Sequence, residues 1–157
     1  MIEIVADKDI PYLKEVFENS KTFRLKTLPF DEINKKTLEN SQALLSRSAT
    51  ILNDELINGT DIKFIFSLTS GEDHIDHDFL SSRKIFIKTA KGANAQAVLE
   101  YTLDALSFSS EKKVGLIGEG HIGGKLKKVL SFFNYETITY DPYKFENSID
   151  QKDAVLR

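Results

Sequence analysis

Cysteine is absent from the 157 residues, which excludes disulfides, thiolate nucleophiles and cysteine-ligated metals together. No apolar stretch approaches the roughly 20 residues that cross a bilayer. The N-terminal MIEIVADKDIPYL is acidic from Glu3 onward and lacks a basic segment followed by a long apolar run, so it does not read as a secretory signal. The expectation is a cytoplasmic chain with no membrane partner. Glycine-, serine- or proline-rich tracts are missing too, while 41% of residues are hydrophobic and 29% charged, the profile of a globular protein. With a net charge of −3 and no basic block, the chain lacks the electrostatic footprint that binding to a phosphate backbone requires. Lys125, Lys127 and Lys128 cluster on one predicted helix, where they read as a solvated face. No nucleic-acid partner is expected.

What is present is an alternation of short β-branched or aromatic runs with helix-period segments. Ile2–Val5 reads as a strand, and Asp9 as the cap of a helix with Ile10, Leu13, Val16 and Phe17 on one face. Phe23–Leu25, Ala43–Leu45, Phe64–Phe66 and Ile85–Ile87 read as four more strands. Asn53 and Asp76 can cap short helices between them, the first closed by Gly59. This order predicts an α/β lobe with a parallel sheet over residues 1–90. From Asn94 the apolar positions Ala95, Val98, Leu99, Leu103 and Leu106 form one stripe of a longer helix, and Ser107–Lys112 reads as a connection. Residues 91–110 are thus a helix and linker. A strand Val114–Ile117, a helix with Ile122, Leu126, Val129, Leu130 and Phe133 on one side, and a strand Thr137–Tyr140 then make one βαβ unit within residues 111–157.

The turn between that strand and helix is Gly118-Glu119-Gly120-His121-Ile122-Gly123, a GxGxxG. Gly118 suits the tight turn, Gly120 leaves room for a pyrophosphate against bare backbone, and Gly123 lets helix and strand pack closely. Asp141 ends the next strand, near the spacing of ~20 residues at which a carboxylate meets the ribose hydroxyls and repels a 2′-phosphate. NAD is the cofactor these residues predict. His74 and His77, in EDHIDHD, are two histidines without a fixed third ligand, so no metal is expected.

The motifs IVADKDIPYLKEVF, ALLSRSATILNDELI, IKFIFSLTSGEDHID, KGANAQAVLEY, VGLIGEGHIGGKL and YDPYK occur in order along nearly the whole chain. On them the sequence resembles the D-2-hydroxyacid dehydrogenase family, and within it the branch that oxidises a phosphorylated hydroxyacid on the way to pyridoxal phosphate. The resemblance implies a flavodoxin-like substrate lobe followed by an incomplete Rossmann βαβ unit, joined by a hinge helix starting near Asn94 that helps build the family's dimers. It implies that Ser48 and Thr69 touch the phosphorylated substrate, and that Gly118, Gly120, His121, Ile122, Gly123 and Asp141 hold NAD; Arg47, next to Ser48, is read as a cation beside the substrate. Lys91-Gly92 stands where the family tends to have proline and glycine, and Phe66 and Leu68 where it has small residues.

Similar enzymes use a histidine base, a glutamate that orients it and an arginine that holds the substrate carboxylate, and the resemblance puts all three beyond Arg157. No catalytic residue is therefore assigned. His121 falls in the phosphate loop and is not promoted to that role. The resulting expectation is a truncated dehydrogenase, inactive as this chain alone. The alternatives are a noncatalytic nucleotide-binding or interaction module, and a split enzyme completed by another polypeptide. A homodimer or a complementing chain is the expected partner, because a two-stranded parallel unit leaves apolar edges open.

Overall fold

A computed structural model describes residues 1–143. The chain divides into two compact units, Met1–Lys91 and Gly92–Arg157. In the first, the elements are β1 (Ile2–Asp7), α1 (Leu13–Phe17), β2 (Phe23–Leu28), α2 (Lys35–Leu38), β3 (Ala43–Ser46), α3 (Asp54–Ile57), β4 (Phe64–Ser67), α4 (His77–Ser82) and β5 (Phe86–Thr89). The strands form one five-stranded sheet in the order β2-β1-β3-β4-β5, with every neighbouring pair parallel. That is the doubly wound flavodoxin-like order.

Parallel strands inside such a sheet must be covered on both faces, and β3 is buried at all four of its positions. On one face Val5, Leu44 and Ile65 pack with Leu38 of α2, Ile57 of α3 and Leu80 of α4, together with Leu52 and Ile75. On the other face Ile4, Ala6, Ala43 and Leu45 meet Ile10 and Leu13. Among the described residues α1 is the helix that contributes cover there, and that face is open toward β5. Phe64 is 43% exposed and Phe86 51%, and Phe64, with Phe66 and Leu68, helps line an apolar concavity of about 500 Å³.

The local signals for α3 and α4 act as expected. Asn53 Oδ1 accepts from Leu56 N–H at 3.2 Å, and Gly59 follows the helix with φ of 80°. Asp76 Oδ1 accepts from Phe79 N–H at 2.9 Å. Asp9 does not cap α1. Its carboxylate pairs with Arg47 and its N–H is taken by Asp7, while Pro11 disfavours helix at Ile10, so α1 starts only after Tyr12. Val16 lies outside the packed face, 68% exposed. β2 runs on to Leu28, and β5 begins one residue later and ends later than its apolar run suggests, because pairing with β1 and β4 continues there. The four-residue α2 went unread, since it is too short for periodicity; it is held by a reciprocal cap between Asn34 and Thr37.

In the second unit, α5 (Ala95–Ser107) precedes β6 (Lys113–Ile117), α6 (Gly123–Phe132) and β7 (Glu136–Tyr140). β6 and β7 are parallel, with Lys113 opposite Glu136 and Ile117 opposite Tyr140. Leu99, Leu116, Leu126 and Leu130 form the core. Phe133 lies outside it at 57% exposure, against the helix-face reading. The helix stops at Phe132 and Asn134 turns with φ of 59°, so Tyr135, not Phe133, closes over the core. Among the described residues no helix is long and apolar enough to cross a membrane.

Candidate functional site

Open α/β sheets bind ligands beyond the carboxyl ends of their strands. In the first unit those ends carry polar residues: Asp7 on β1, Ser46 on β3, Ser67 on β4 and Thr89 on β5, with Ser46 opposite Ser67 and Ser67 opposite Thr89. Asp7, Ser46 and Ser67 are fully buried. Ser46 Oγ and the buried Thr50 Oγ1 have no hydrogen-bond partner among the described residues.

Arg47 follows β3. Its Nε donates to Asp7 Oδ2 at 2.7 Å, and its Nη2 to Asp7 Oδ1 at 3.3 Å and to Asp9 Oδ2 at 2.8 Å. The hydrogen bond to Asp7 is the main cause that raises the guanidinium pKa above its ordinary value, against the opposing effect of burial. The cation expected beside the substrate is thus already matched by two acids. Its backbone carbonyl accepts from Thr50 N–H at 3.1 Å, closing a turn that presents Ser48 to solvent.

Thr69 is half-buried just past β4. Its Oγ1 lies 3.3 Å from Ser67 Oγ, which in turn lies 2.9 Å from His74 Nε2. Burial is the largest cause lowering the His74 pKa, opposed by Asp73 and Glu72 and assisted by His77. Glu72 accepts from Thr89 Oγ1 at 2.9 Å and from Lys91 Nζ at 3.4 Å; the Thr89 bond is the first cause holding its carboxyl below the usual value. His77 Nε2 stands 3.7 Å from Glu72, so the two histidines of EDHIDHD serve different partners.

In the second unit Gly118 has φ of 90° and donates its N–H to Tyr140 O at 2.7 Å. A methyl on Gly123 would overlap Gly118 O, whereas one on Gly120 would meet only open space. The loop therefore excludes a side chain where helix meets strand and leaves room where a ligand would lie. Ile122 occupies the cap of α6 without a side-chain cap, so the helix offers N–H groups at that end. Asp141 Oδ2 accepts from Glu119 N–H at 2.7 Å and its Oδ1 from Tyr143 N–H at 2.9 Å. Lys127 holds the Glu119 carboxylate at 3.2 Å. His121 is exposed, its ring over Gly92, where an added Cβ would come within 3.2 Å of the ring.

Sequence reasoning passed over Asp7, Ser67, Glu72 and Thr89. For Asp7, Ser67 and Thr89 the signal is a polar residue at the end of an apolar strand, as in IEIVAD; Glu72 lies in the loop between β4 and α4, where nothing local marks it.

Residues 1–145 match the family of the D-isomer specific 2-hydroxyacid dehydrogenase, catalytic domain, and the chain belongs to that family. It is similar to the erythronate-4-phosphate dehydrogenase of Hahella chejuensis, 40% identical over an alignment of 151 residues that covers 91% of this chain and 39% of that protein. The erythronate-4-phosphate dehydrogenase of Salmonella arizonae is 35% identical over 149 residues, covering 90% of this chain and 39% of its own length. The chain thus spans about two fifths of the curated relatives it matches. The same fold occurs in NAD⁺-bound 3-phosphoglycerate dehydrogenase of Entamoeba histolytica, with TM-score 0.71 and 20% identity over 98% of this chain and 59% of that one. D-lactate dehydrogenase of Aquifex aeolicus, complexed with NAD and lactic acid, gives TM-score 0.68 and 20% identity over 96% and 54%.

Two outcomes follow from this geometry. Arg47→Ala strands the fully buried Asp7 carboxylate and is expected to lower the melting temperature well beyond Arg24→Ala, which removes an exposed pair with Glu3. Equal effects in parallel melts would contradict it. His74, with its folded pKa below the unfolded value, binds fewer protons folded than unfolded. Stability is then fully present above the unfolded pKa of ~6.5 and falls with pH below it. His74→Gln should flatten that slope in chemical denaturation from pH 7 to 5, and an unaltered slope would refute the assignment.

Proposed function

We propose that this chain carries the substrate-binding lobe and the opening of the NAD-binding unit of a 4-phosphoerythronate dehydrogenase, and that alone it binds ligands without turning them over. The loop at Gly118–Gly123 carries the reading: it is closed to a side chain at Gly123 and open at Gly120. NAD is the ligand that fits. Its pyrophosphate would lie on the backbone of Gly118, Gly120, His121, Ile122 and Gly123, where N–H groups at the start of α6 favour an anion. Asp141 would accept from the adenosine ribose, and its charge disfavours NADP.

Ser48 and Thr69 supply hydroxyls at the carboxyl ends of β3 and β4 for the phosphorylated 2-hydroxyacid. Arg47 belongs to this set through the turn it anchors. The substrate itself rests on the named relatives. The proton acceptor and carboxylate clamp are assigned to the part of those relatives that the chain does not span. The histidines present have other company: His74 bonds to Ser67, His77 pairs with Glu72, and His121 packs on Gly92.

Calorimetry is expected to give millimolar NAD affinity, about −4 kcal/mol, with weaker binding of NADP, and 4-phosphoerythronate with NAD should yield no NADH. Submicromolar NAD affinity, equal NADP affinity, or turnover abolished by a His121 or His77 substitution would contradict the reading.

Among the described residues the outer edges of β6 and β7 are unpaired, which favours a second chain, either another copy or a complementing polypeptide. Ile117 is 68% exposed, and Phe132 and Phe133 of the same unit are exposed as well. Light scattering at micromolar concentration should report association. A clean monomer with strongly exchange-protected amides in 113–141 would rule it out.

A further inference from the structure

We infer that His74 is a positioning residue for an oxyanion at Thr69: through Ser67, a hydrogen on His74 Nε2 turns the Thr69 hydroxyl outward as a donor. The inference rests on Thr69 as a ligand contact and adds what controls its hydrogen.

Hydrogen counting along the chain leads to it. His74 Nε2, Ser67 Oγ and Thr69 Oγ1 are joined at 2.9 and 3.3 Å, and Ser67 is fully buried, so no solvent supplies its hydroxyl with another partner. A hydroxyl has one hydrogen to give. If Nε2 is bare, Ser67 donates to it, and Ser67 then accepts the hydrogen of Thr69. Thr69 is left facing outward with lone pairs, which repel an oxyanion. If Nε2 carries hydrogen, it donates to Ser67, Ser67 donates to Thr69, and the Thr69 hydrogen is released toward a ligand. The same two hydroxyls thus present opposite polarity according to one imidazole nitrogen. Bonds in such a chain polarise one another, so a ligand oxygen taking the Thr69 hydrogen strengthens both links behind it. The 3.3 Å link, long for a hydroxyl pair, is the one with room to tighten.

The surroundings leave the imidazole able to switch. Burial and His77 disfavour its charged form, Asp73 and Glu72 favour it, and Leu52, which donates its N–H to His74 O at 2.8 Å from the segment before α3, brings no charge. Neutral His74 can move its hydrogen between ring nitrogens, and protonated His74 has it on both. Binding free energies are reciprocal, so an oxyanion that prefers hydrogen on Nε2 also promotes protonation of the ring.

The oxyanion is either the phosphate or the carboxylate end of a phosphorylated hydroxyacid, which share this chemistry. The test is nuclear magnetic resonance of the 157-residue chain with ¹⁵N-labelled histidine, titrated in pH with inorganic phosphate in one arm and D-glycerate in the other. The expected result is that one of them shifts the Thr69 methyl, moves the His74 Nε2 signal toward the hydrogen-bearing form and raises the His74 pKa. The arm that responds identifies the end bound. In Ser67→Ala the Thr69 shift should persist while the His74 response disappears; the wild-type titration stands by itself if that variant does not fold. A Thr69 response with His74 unmoved overturns the coupling and leaves Thr69 as a ligand contact. Silence at Thr69 in both arms overturns both.

Discussion

Cover on both faces is the condition a parallel sheet imposes, and the organisation of this chain follows from how far it is met. β3 meets it completely, being buried at every position between α2, α3 and α4 on one side and α1 with Ile10 on the other. Its neighbours meet it less well as the sheet runs toward β5, where the aromatic residues of β4 and β5 stand half in water. The two-stranded sheet of the second unit meets it least: Leu116 is covered by α5 and α6, and Ile117 is not. Where cover is complete the strands end in buried polar groups. Where it is incomplete the chain has apolar surface to share.

Most of those strand ends find partners, and the way they do so organises the first unit's site. Buried Asp7 is paired with Arg47, buried Ser67 with His74, and half-buried Thr89 with Glu72, while Ser46 Oγ has no partner among the described residues. Each partner comes from a loop at the same end of the sheet, so the loops are tied down by the hydrogen bonds that solve the desolvation problem of the strand termini. Ser48 and Thr69 stand on loops secured in this way. In the second unit Asp141 plays a similar part, reaching back from the end of β7 to the N–H of Glu119 inside the glycine loop.

Much of this was legible in the sequence. β1, β3 and β4 announce themselves as apolar β-branched or aromatic runs, Asn53 and Asp76 cap the helices assigned to them, and the glycine loop sits between strand and helix as its spacing requires. The structure departs from the local signals where a distant residue or an adjacent backbone turn overrides them. Asp9 has the sequence profile of a cap, but Arg47, far along the chain, claims its carboxylate. Phe133 continues a helical stripe, but the positive φ of Asn134 ends the helix before it. The Ser67–His74 pair was hidden because histidine among acids suggests metal or surface, and only folding brings its ring under β4.

The contact between Gly92 and His121 has an evolutionary consequence. Gly92 has φ of 77° and carries the imidazole where a side chain would project. A larger residue at position 92 must adopt a strained backbone and also displace the ring. Conversely, His121 fills space that exists only while position 92 is glycine. Position 92, at the entry to the second unit, is therefore expected to stay glycine across descendants of this sequence, while position 121, inside the glycine loop, is freer to change.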